Sequence, residues 1–452
     1  IVFGDWSSDV CSSDLTIGSV VVFYTLIKLK FPKLLSFFFG LIFAVHPILT
    51  PSAVWISGRN DSLVTIFLLI SFINLINYLD NKRKIKYLLL HILLLLLGLF
   101  TKEMAIILPV AGFFYLILYR DEQFKLKENY ILFSGWVICS LVWFLLRMVA
   151  TQGIDSPDKI GFASLLVNYP TIFAMLGKVF LPIKLAPVSY FTTLSVVSGI
   201  IVIVLITFFT LYLKSVDKKK VLFGGLWYLM FLFPTLSILL YDHFFDFAEH
   251  RTYILLIGIF IILAEFIIAL KIDIQRSIPK IVFLLIFLIF SSSAFAYSNK
   301  IDDKFSFWSH IRKSFPNKPK SYIILGEVYQ EKGQYVTADK LFRRAIALKG
   351  ETLNLYINLS SVSINLKNYD DAIRFGKMAI EKDPTSGFGW YNHGRALIRV
   401  GKFEEGEKSI NEALRIDPKN VDWKIEFGNT YFEVAQYRSE EHTSELQSPN
   451  TI

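Results

Sequence analysis

Long apolar runs alternate with short polar connections over the first two thirds of the chain. The longest runs reach about twenty residues, enough for a helix to cross a hydrocarbon core of about 30 Å. Their order is Ile17–Leu29, Leu34–Val45, Ser62–Leu79, Tyr87–Phe100, Met104–Tyr119, Tyr130–Val149, Val196–Leu213, Val221–Leu240, Tyr253–Leu270 and Ile281–Tyr297. The pattern predicts an all-α fold in which residues 16–297 form a polytopic bundle of membrane helices.

Basic residues concentrate in every second connection between these runs. Five such connections hold seventeen lysines and arginines. The connections on the other side hold few basic residues, namely Arg59, Lys102, Lys159 and Arg251, with Arg147 at a boundary. Because cytoplasmic loops carry the excess of lysine and arginine, the basic side is predicted to be cytoplasmic. The other connections, including a polar loop around Asp155, are expected to face the periplasm or the cell exterior.

One apolar segment does not fit this alternation. Thr171–Pro187 contains Lys178, Lys184 and two prolines. If this segment crossed the membrane, all later basic connections would lie outside, against the charge rule. We therefore expect a re-entrant or interfacial helix on the outer side, where irregular backbone must be buried in protein or line a cavity.

The last third of the chain is amphipathic and repeats every 34 residues. Small and aromatic residues recur at this interval, as in Gly326, Ser360, Gly394 and Gly428, in Ala345, Ala379 and Ala413, and in Tyr335, Tyr369, Phe403 and Tyr437. Small residues at fixed offsets let paired helices approach, and aromatic residues fill the space between pairs. The pattern resembles the tetratricopeptide repeat, which builds an α-solenoid.

The period gives a linker at 298–318 and repeats at 319–352, 353–386 and 387–420, with a partial repeat at 421–437. Such stacks present a concave surface that binds proteins or peptides. An alternative is that the repeats only stabilise or space the membrane domain. The predicted topology places them on the non-cytoplasmic side.

The two ends of the chain are related at the DNA level. Arg438–Ser448 can be back-translated into a DNA whose reverse complement, in another frame, encodes Asp5–Leu15. Unrelated protein ends should not be opposite strands of one short DNA, and this DNA resembles a sequencing adapter. We therefore expect residues 1–15 and 438–452 to be translated artefact, and the natural chain to be cut at both ends. The alternative is a polar N-terminal tail and an extension of the fourth repeat.

Composition fits a membrane protein and argues against other classes. Hydrophobic residues make up 54% of the chain, 42 residues are Phe, and the mean hydropathy is +0.49. The net charge of +9 lies largely in the basic connections, so it does not indicate nucleic-acid binding. Once Cys11 is set aside only Cys139 remains, which excludes an intrachain disulfide. The seven histidines are not spaced as metal ligands, so neither a metal nor a cofactor is expected.

Ionisable residues beside membrane helices are costly, which makes them candidates for function. Three clusters lie on the predicted outer side: His46, Arg59 and Asp61; Lys102 and Glu103; and Glu249, His250 and Arg251. Arginine and lysine suit a phosphate, and a carboxylate can orient a hydroxyl or act as a base. We predict that Glu103 and Glu249 are secondary candidates for a catalytic role and that the other six residues bind substrate.

Each cluster also has a structural interpretation. Arg59 and Asp61 could belong to the cap of the helix that begins near Ser62. The Lys102–Glu103 pair could be a helix–helix turn, and Glu249–Arg251 could anchor its helix at the membrane interface. A histidine before a proline, as at His46, is more often structural than catalytic.

The order of these motifs is that of a known group of enzymes. The run HPILTPSAVWISGRND at His46–Asp61, the Lys102–Glu103 break and the run at Glu249–Tyr253 precede tetratricopeptide repeats. Over roughly Ile17–Tyr437 the chain resembles the transmembrane and tetratricopeptide-containing O-mannosyltransferases and their bacterial relatives, of the GT-C glycosyltransferase superfamily. The resemblance implies transfer of a sugar from a polyprenyl-phosphate carrier to a protein or glycan acceptor on the non-cytoplasmic face of a membrane, in bacteria the inner membrane.

The resemblance further implies inversion at the sugar carbon, with a carboxylate as the base. In this superfamily that carboxylate typically lies in the first outer loop, which would precede Ile17. The fragment is therefore expected to lack its main catalytic acid and to be inactive. The sequence also departs from the group at Pro51–Ser52, where many relatives have Glu-Ala.

Three other functions are compatible with parts of the sequence. An O-antigen ligase or polymerase usually has one large outer loop, whereas the longest here is about Thr151–Tyr169. A non-enzymatic membrane scaffold that displays the repeats would not need three charged clusters on one face. A transporter would need a charged residue well inside a helix, and Glu265 lies near a predicted cytoplasmic end.

Overall fold

The computed structural model describes residues 8–54, 58–120, 126–151, 162–237, 246–301, 303–425, 427–429 and 432. It divides into two compact units, Ile1–His310 and Ile311–Ile452, and the boundary falls within the predicted linker. The predicted polar loop at Asp155, the aromatic position Tyr437 and the C-terminal tail at 438–452 lie outside the described residues.

Every apolar run of the membrane unit forms a helix, so the all-α prediction is confirmed. The helices are α1 Ser8–Lys28, α2 Lys33–Val45, α3 Thr50–Val54, α4 Arg59–Asp80, α5 Ile85–Thr101, α6 Ile107–Tyr119, α7 Leu126–Thr151, α8 Phe162–Asn168, α9 Pro170–Phe180, α10 Thr193–Tyr212, α11 Lys218–Leu236, α12 Thr252–Ala269, α13 Ser277–Ser298 and α14 Lys304–Ser314. The boundary predicted between residues 15 and 16 falls inside α1. A helix across this boundary does not test whether residues 1–15 are translated artefact, so that interpretation stays a prediction.

The centre of the bundle is α12, with α4 beside it. The apolar span ending at Ala269 is 83% buried and that of α4 is 72% buried, whereas the span of α13 is 6% buried. Helices α11 and α12 touch through their backbones, because Gly224 and Gly258 leave no room for a side chain where they cross. Five helices of the described residues are long and apolar enough to cross a membrane, and shorter apolar helices lie between them.

The segment predicted to be re-entrant contains a short helix. Helix α9 has eleven residues, about 16 Å, which is too short to cross the hydrocarbon core. After α9 the chain forms strand β1, Val188–Ser189, which pairs antiparallel with β2, Phe247–Ala248. The chain before α9 contacts the end of α11 through Asn168, and the chain after α9 pairs with β2 just before α12. Both ends of the segment thus lie at the same end of the bundle, which favours the re-entrant interpretation.

Three irregular connections at this end carry the predicted site residues. Each forms a short 3₁₀ turn, at Pro47–Leu49, Glu103–Ile106 and Glu249–Arg251. The first turn begins after His46, whose ring nitrogen Nδ1 accepts the amide of Ile48 at 3.3 Å. The first and third turns touch each other. The breaks between helices thus bring side chains of distant sequence together.

The second unit consists of helix pairs, which confirms the predicted repeats. The pairs are α15 Pro319–Glu331 with α16 Tyr335–Ala347, α17 Leu353–Asn365 with α18 Tyr369–Lys382, and α19 Gly387–Arg399 with α20 Phe403–Ile416. The three periodic alanines are fully buried in its core. The small residue of each first helix allows close packing: the hydroxyl of Ser360 donates to the carbonyl of Ala372 at 2.8 Å, and a side chain at Gly394 would meet Ile410.

The same turn joins the two helices of every pair. Gly333, Lys367 and Gly401 are 34 residues apart and have positive φ angles of 72°, 60° and 84°. In each turn the next amide donates to a carbonyl five residues earlier, as Asn368 does to Ser363 at 2.8 Å. This is a Schellman ending, which favours glycine at the left-handed position. Two of the three repeats use glycine there, and the middle repeat uses lysine.

Candidate functional site

The side chains of Asp61, Lys102 and His250 meet at the end of the bundle where α12 begins. The Lys102 ammonium donates to both carboxylate oxygens of Asp61, each at 2.7 Å. Nε2 of His250 lies 3.6 Å from the same carboxylate, of which only 2% of the side chain is exposed. One residue from each predicted cluster thus contributes to a single polar centre.

Arg251 and Glu103 lie beside this centre. With Lys102 they line a narrow cleft of about 20 Å³, closed on the other side by Phe231 and Pro234. Arg251 forms no ion pair with any described residue, and its Nε is buried with no hydrogen-bond partner there. A buried guanidinium nitrogen without a partner favours an anionic ligand at this position.

The carboxylate of Glu103 is half exposed and faces a second, wider cleft of about 440 Å³. Arg147 lies across it, with its guanidinium 3.7 Å from Glu103 and 5.5 Å from the centre of the Trp143 ring. A carboxylate, a guanidinium and an indole together can bind hydroxyl groups and the apolar face of a sugar ring. Neither Trp143 nor the role of Arg147 was predicted from the sequence.

Arg59 forms an ion pair with a carboxylate outside the polar centre. Its Nε donates to the carboxylate of Asp14 at 3.1 Å, and 38% of its side chain is exposed. Asp14 lies in the stretch that we predict to be translated artefact. The ion pair with Asp14 does not test whether Arg59 binds substrate, so that role stays a prediction.

Glu249 is fully buried in an ion pair with Lys178. The Lys178 ammonium also donates to the Ser189 hydroxyl at 2.6 Å, and the second oxygen of Glu249 accepts the amide of Ala186 at 3.0 Å. These contacts tie α9 and β1 to the turn that carries His250. The geometry favours a positioning role for Glu249, because no solvent or substrate reaches its carboxylate in this arrangement.

Lys178 could have been found from the sequence. A lysine inside an apolar helix requires a partner, and few carboxylates lie near the same membrane depth. The sequence did not single out Glu249 as that partner, because Asp242 and Asp246 lie in the same connection.

His46 lies at the end of a large apolar groove. Its ring is 3% exposed, Nε2 contacts the carbonyl of Val179 at 3.1 Å, and the ring packs against Phe290 at 4.7 Å. Burial lowers the pKa of His46 to about 4, so its ring is neutral at pH 7. The residue connects the groove to the turn that contacts Glu249–Arg251.

The groove has a volume of about 620 Å³ and an almost entirely apolar surface. It runs along α2, α12 and α13, from Ile272 and Ile278 between the end of α12 and the start of α13 to His46 and Phe180 at the end where α12 begins. Its length and composition suit an extended hydrocarbon chain. The sequence did not predict this groove, because its wall is made by faces of helices that are apolar all round.

Among the described residues, no group of three or more His, Cys, Asp or Glu side chains could hold a metal ion. Cys139 is buried and free. The prediction that the protein needs no metal or cofactor stays a prediction.

Comparison with known families agrees with both parts of the chain. Residues 2–147 match the family described as dolichyl-phosphate-mannose-protein mannosyltransferase, and residues 319–352 and 389–420 match the tetratricopeptide repeat. The predicted architecture is confirmed. The chain is a membrane protein in which a mannosyltransferase-like domain precedes tetratricopeptide repeats.

Two curated proteins are similar to short stretches of the chain. The Protein STIP1 homolog of Dictyostelium discoideum is 40% identical over 86 residues, 19% of this chain and 15% of that protein. The TPR repeat-containing protein MJ1428 of Methanocaldococcus jannaschii is 31% identical over 81 residues, 18% of this chain and 14% of that protein. The chain thus spans about a seventh of the length of these relatives.

Solved structures of tetratricopeptide-repeat proteins show limited similarity to the chain. One is described as the first TPR of Spaghetti (RPAP3) bound to the HSP90 peptide SRMEEVD, with 20% identity and a TM-score of 0.24. The alignment covers 26% of this chain and 94% of that one.

Proposed function

We propose that the protein is a membrane glycosyltransferase that takes a sugar from a polyprenyl-phosphate carrier. The observation that supports this most is the apolar groove that ends at His46, one turn away from the polar centre of Asp61, Lys102 and His250. A lipid-linked sugar has the same order of parts, an apolar chain followed by a charged phosphate and a sugar.

In this proposal the carrier's hydrocarbon chain occupies the groove along α12 and α13. The phosphate is held by Lys102 and Arg251, with Arg59 as a third cation near it. Asp61 and His250 orient Lys102, and Glu249 positions the turn through Lys178. The wide cleft beside Trp143 and Arg147 would hold the sugar or the acceptor.

The reaction is a displacement at the anomeric carbon of the sugar. A carboxylate removes the proton of an acceptor hydroxyl, whose oxygen forms the new bond to that carbon from the face opposite the phosphate. The bond from carbon to phosphate oxygen breaks, and the carrier phosphate leaves with its electron pair. Glu103 is the exposed carboxylate closest to the proposed phosphate site, and the resemblance places the main base before Ile17.

The predicted topology puts this chemistry on the non-cytoplasmic face, in bacteria that of the inner membrane. The repeats, on the same face, would bind a protein partner or the protein or glycan acceptor.

Donor binding tests the proposal without requiring turnover. The chain in lipid nanodiscs is exposed to a photoreactive polyprenyl-phosphate mannose, and crosslinking is measured. Arg251→Ala removes charge-assisted hydrogen bonds to phosphate, so affinity should fall about tenfold or more. In a protein with the predicted upstream loop, Arg251→Ala should abolish transfer and leave membrane insertion intact.

Arg276→Ala is the matched control, because Arg276 is exposed at the opposite, basic end of the bundle. Equal loss in both variants, or none in Arg251→Ala, would contradict the phosphate site. No specific crosslinking of the unsubstituted chain would instead favour a membrane scaffold for the repeats.

A further inference from the structure

The inner side of the repeat unit forms a groove of about 780 Å³ with a mostly polar lining. Its wall is made by the first helix of each pair, α15, α17 and α19, and by Trp423 after α20. The groove lies entirely within the second unit. Its lining carries information about the kind of polypeptide that the repeats bind.

Carboxamides form the floor of the groove. Asn354, Asn358 and Asn365 lie on one face of α17, since they are separated by four and seven positions. Asn392 of α19 continues the row, and its amide donates to the carbonyl of Ile357 at 3.1 Å. A carboxamide offers both a donor and an acceptor, so such a row can pair with the main chain of an extended peptide whatever its side chains.

The charges at one end of the groove are negative. Glu327 and Glu331 are four residues apart on α15, and Asn358 donates to Glu327 at 3.2 Å. Arg395 is the one cation among the described lining residues, and it lies over the ring of Tyr391 at 5.5 Å. An interface selects a partner of complementary charge, so this end favours a lysine or arginine and opposes carboxylates.

The other end of the groove is aromatic. Phe388 is 55% exposed and meets Trp423 edge-on at 5.0 Å, while Trp423 stacks on Tyr391 at 5.2 Å. Exposed aromatic surface backed by a packed aromatic layer is typical of a site that receives an apolar side chain.

We propose that this groove binds an extended polypeptide segment with a lysine or arginine toward Glu327 and Glu331 and an apolar or aromatic residue against Phe388. An acidic C-terminal tail should bind less well, because its carboxylates would meet the like charges of Glu327 and Glu331. This inference rests on the proposed role of the repeats in binding an acceptor or partner, and it names the chemistry of that segment.

Three labelled peptides of equal length test the proposal on the whole chain in detergent micelles. One peptide carries lysines at one end and an aromatic residue at the other, one replaces the lysines by serines, and one has an acidic C-terminus. Fluorescence anisotropy should rank affinity in that order, with at least tenfold between the first and the last. Tightest binding of the acidic peptide, or equal binding of all three, would overturn the proposal, as would no binding at all.

Charge reversal at the acidic end gives the second arm. Glu327→Lys with Glu331→Lys should weaken the lysine peptide about tenfold and remove its salt dependence. Glu381→Lys is the control, since Glu381 is 64% exposed on α18 outside the groove. Unchanged affinity in the double variant would refute the role of Glu327 and Glu331 in selecting a basic residue. Circular dichroism checks that the double variant folds.

Asn358→Ala should weaken all three peptides by a similar factor, because the amide row pairs with the main chain. Crosslinking of the lipid-linked sugar is measured on the same variants. If crosslinking is retained while the peptide selectivity fails, the groove assignment is wrong and the proposed transferase function is not affected.

Discussion

Lys102 donates to both oxygens of the Asp61 carboxylate, 41 residues earlier in the chain, and so joins two of the three irregular connections. Because 2% of the Asp61 side chain and 19% of the Lys102 side chain are exposed, removing one partner leaves the other charge largely desolvated. Breaking a buried pair in this way costs about 3–5 kcal/mol.

Lys102→Met should therefore lower the thermal stability of the detergent-solubilised chain substantially. The double variant Asp61→Asn with Lys102→Met should recover at least half of that loss, since no unpaired charge remains. Donor crosslinking should stay low in both variants if Lys102 contacts phosphate. Donor binding that returns with stability would limit Lys102 to a structural role.

The Lys178–Glu249 pair allows base and positioning roles to be separated. Glu249→Gln leaves the Lys178 ammonium buried without its counter-charge, and unfolding should become easier by about 3 kcal/mol. The neutral pair Lys178→Met with Glu249→Leu should restore folding. In a protein with the predicted upstream loop, transfer that also returns would mean that Glu249 acts by positioning the turn; transfer that stays absent in a stable protein would contradict that role.

The middle repeat turn offers a stabilising change. Lys367 has a φ of 60°, a conformation that glycine adopts without steric cost. Lys367→Gly should raise the free energy of unfolding of a chain of residues 303–437 by about 0.5–1 kcal/mol. The reverse change Gly401→Ala, at a φ of 84°, should lower it by a similar amount. Denaturant titration measures both, and shifts of the same sign would contradict the turn argument.

The repeat unit should lose stability as the pH falls below 7. Burial lowers the pKa of His393, whose Nδ1 lies 3.1 Å from the Ser409 hydroxyl. The folded state therefore resists protonation that the unfolded chain accepts near pH 6.5. Stability is complete above that pH and declines as the pH falls from there to the lowered pKa, below which this contribution changes no further. His393→Gln should flatten the curve between pH 7 and pH 5, and an unchanged slope would assign it to other groups.

Helices and repeats were predictable because each depends on a long regular pattern. Each of the ten apolar runs contains a helix within its described residues, since burial of an apolar segment in lipid requires internal hydrogen bonding. The 34-residue period fixed the helix pairs, including the small positions Ser360 and Gly394. These features need no knowledge of contacts between distant segments.

The partners within the candidate site were not predictable in the same way. Asp61, Lys102 and His250 were each singled out, but their convergence depends on how three separate turns pack. Lys178 was considered only as an obstacle to spanning, and its pair with Glu249 follows from the β1–β2 contact. The site roles themselves remain predictions for the experiments above.

Helix α12 is held at both ends by ionic contacts with other elements. Glu249 pairs with Lys178 just before its start, and near its end Glu265 binds the Lys220 ammonium at 3.0 Å and the Asp217 amide at 2.9 Å. Sliding α12 along its axis would break buried ion pairs at two levels at once. We therefore expect the α12 wall of the groove to stay in place, and α13, whose apolar span is 6% buried, to be the wall that moves if a lipid enters.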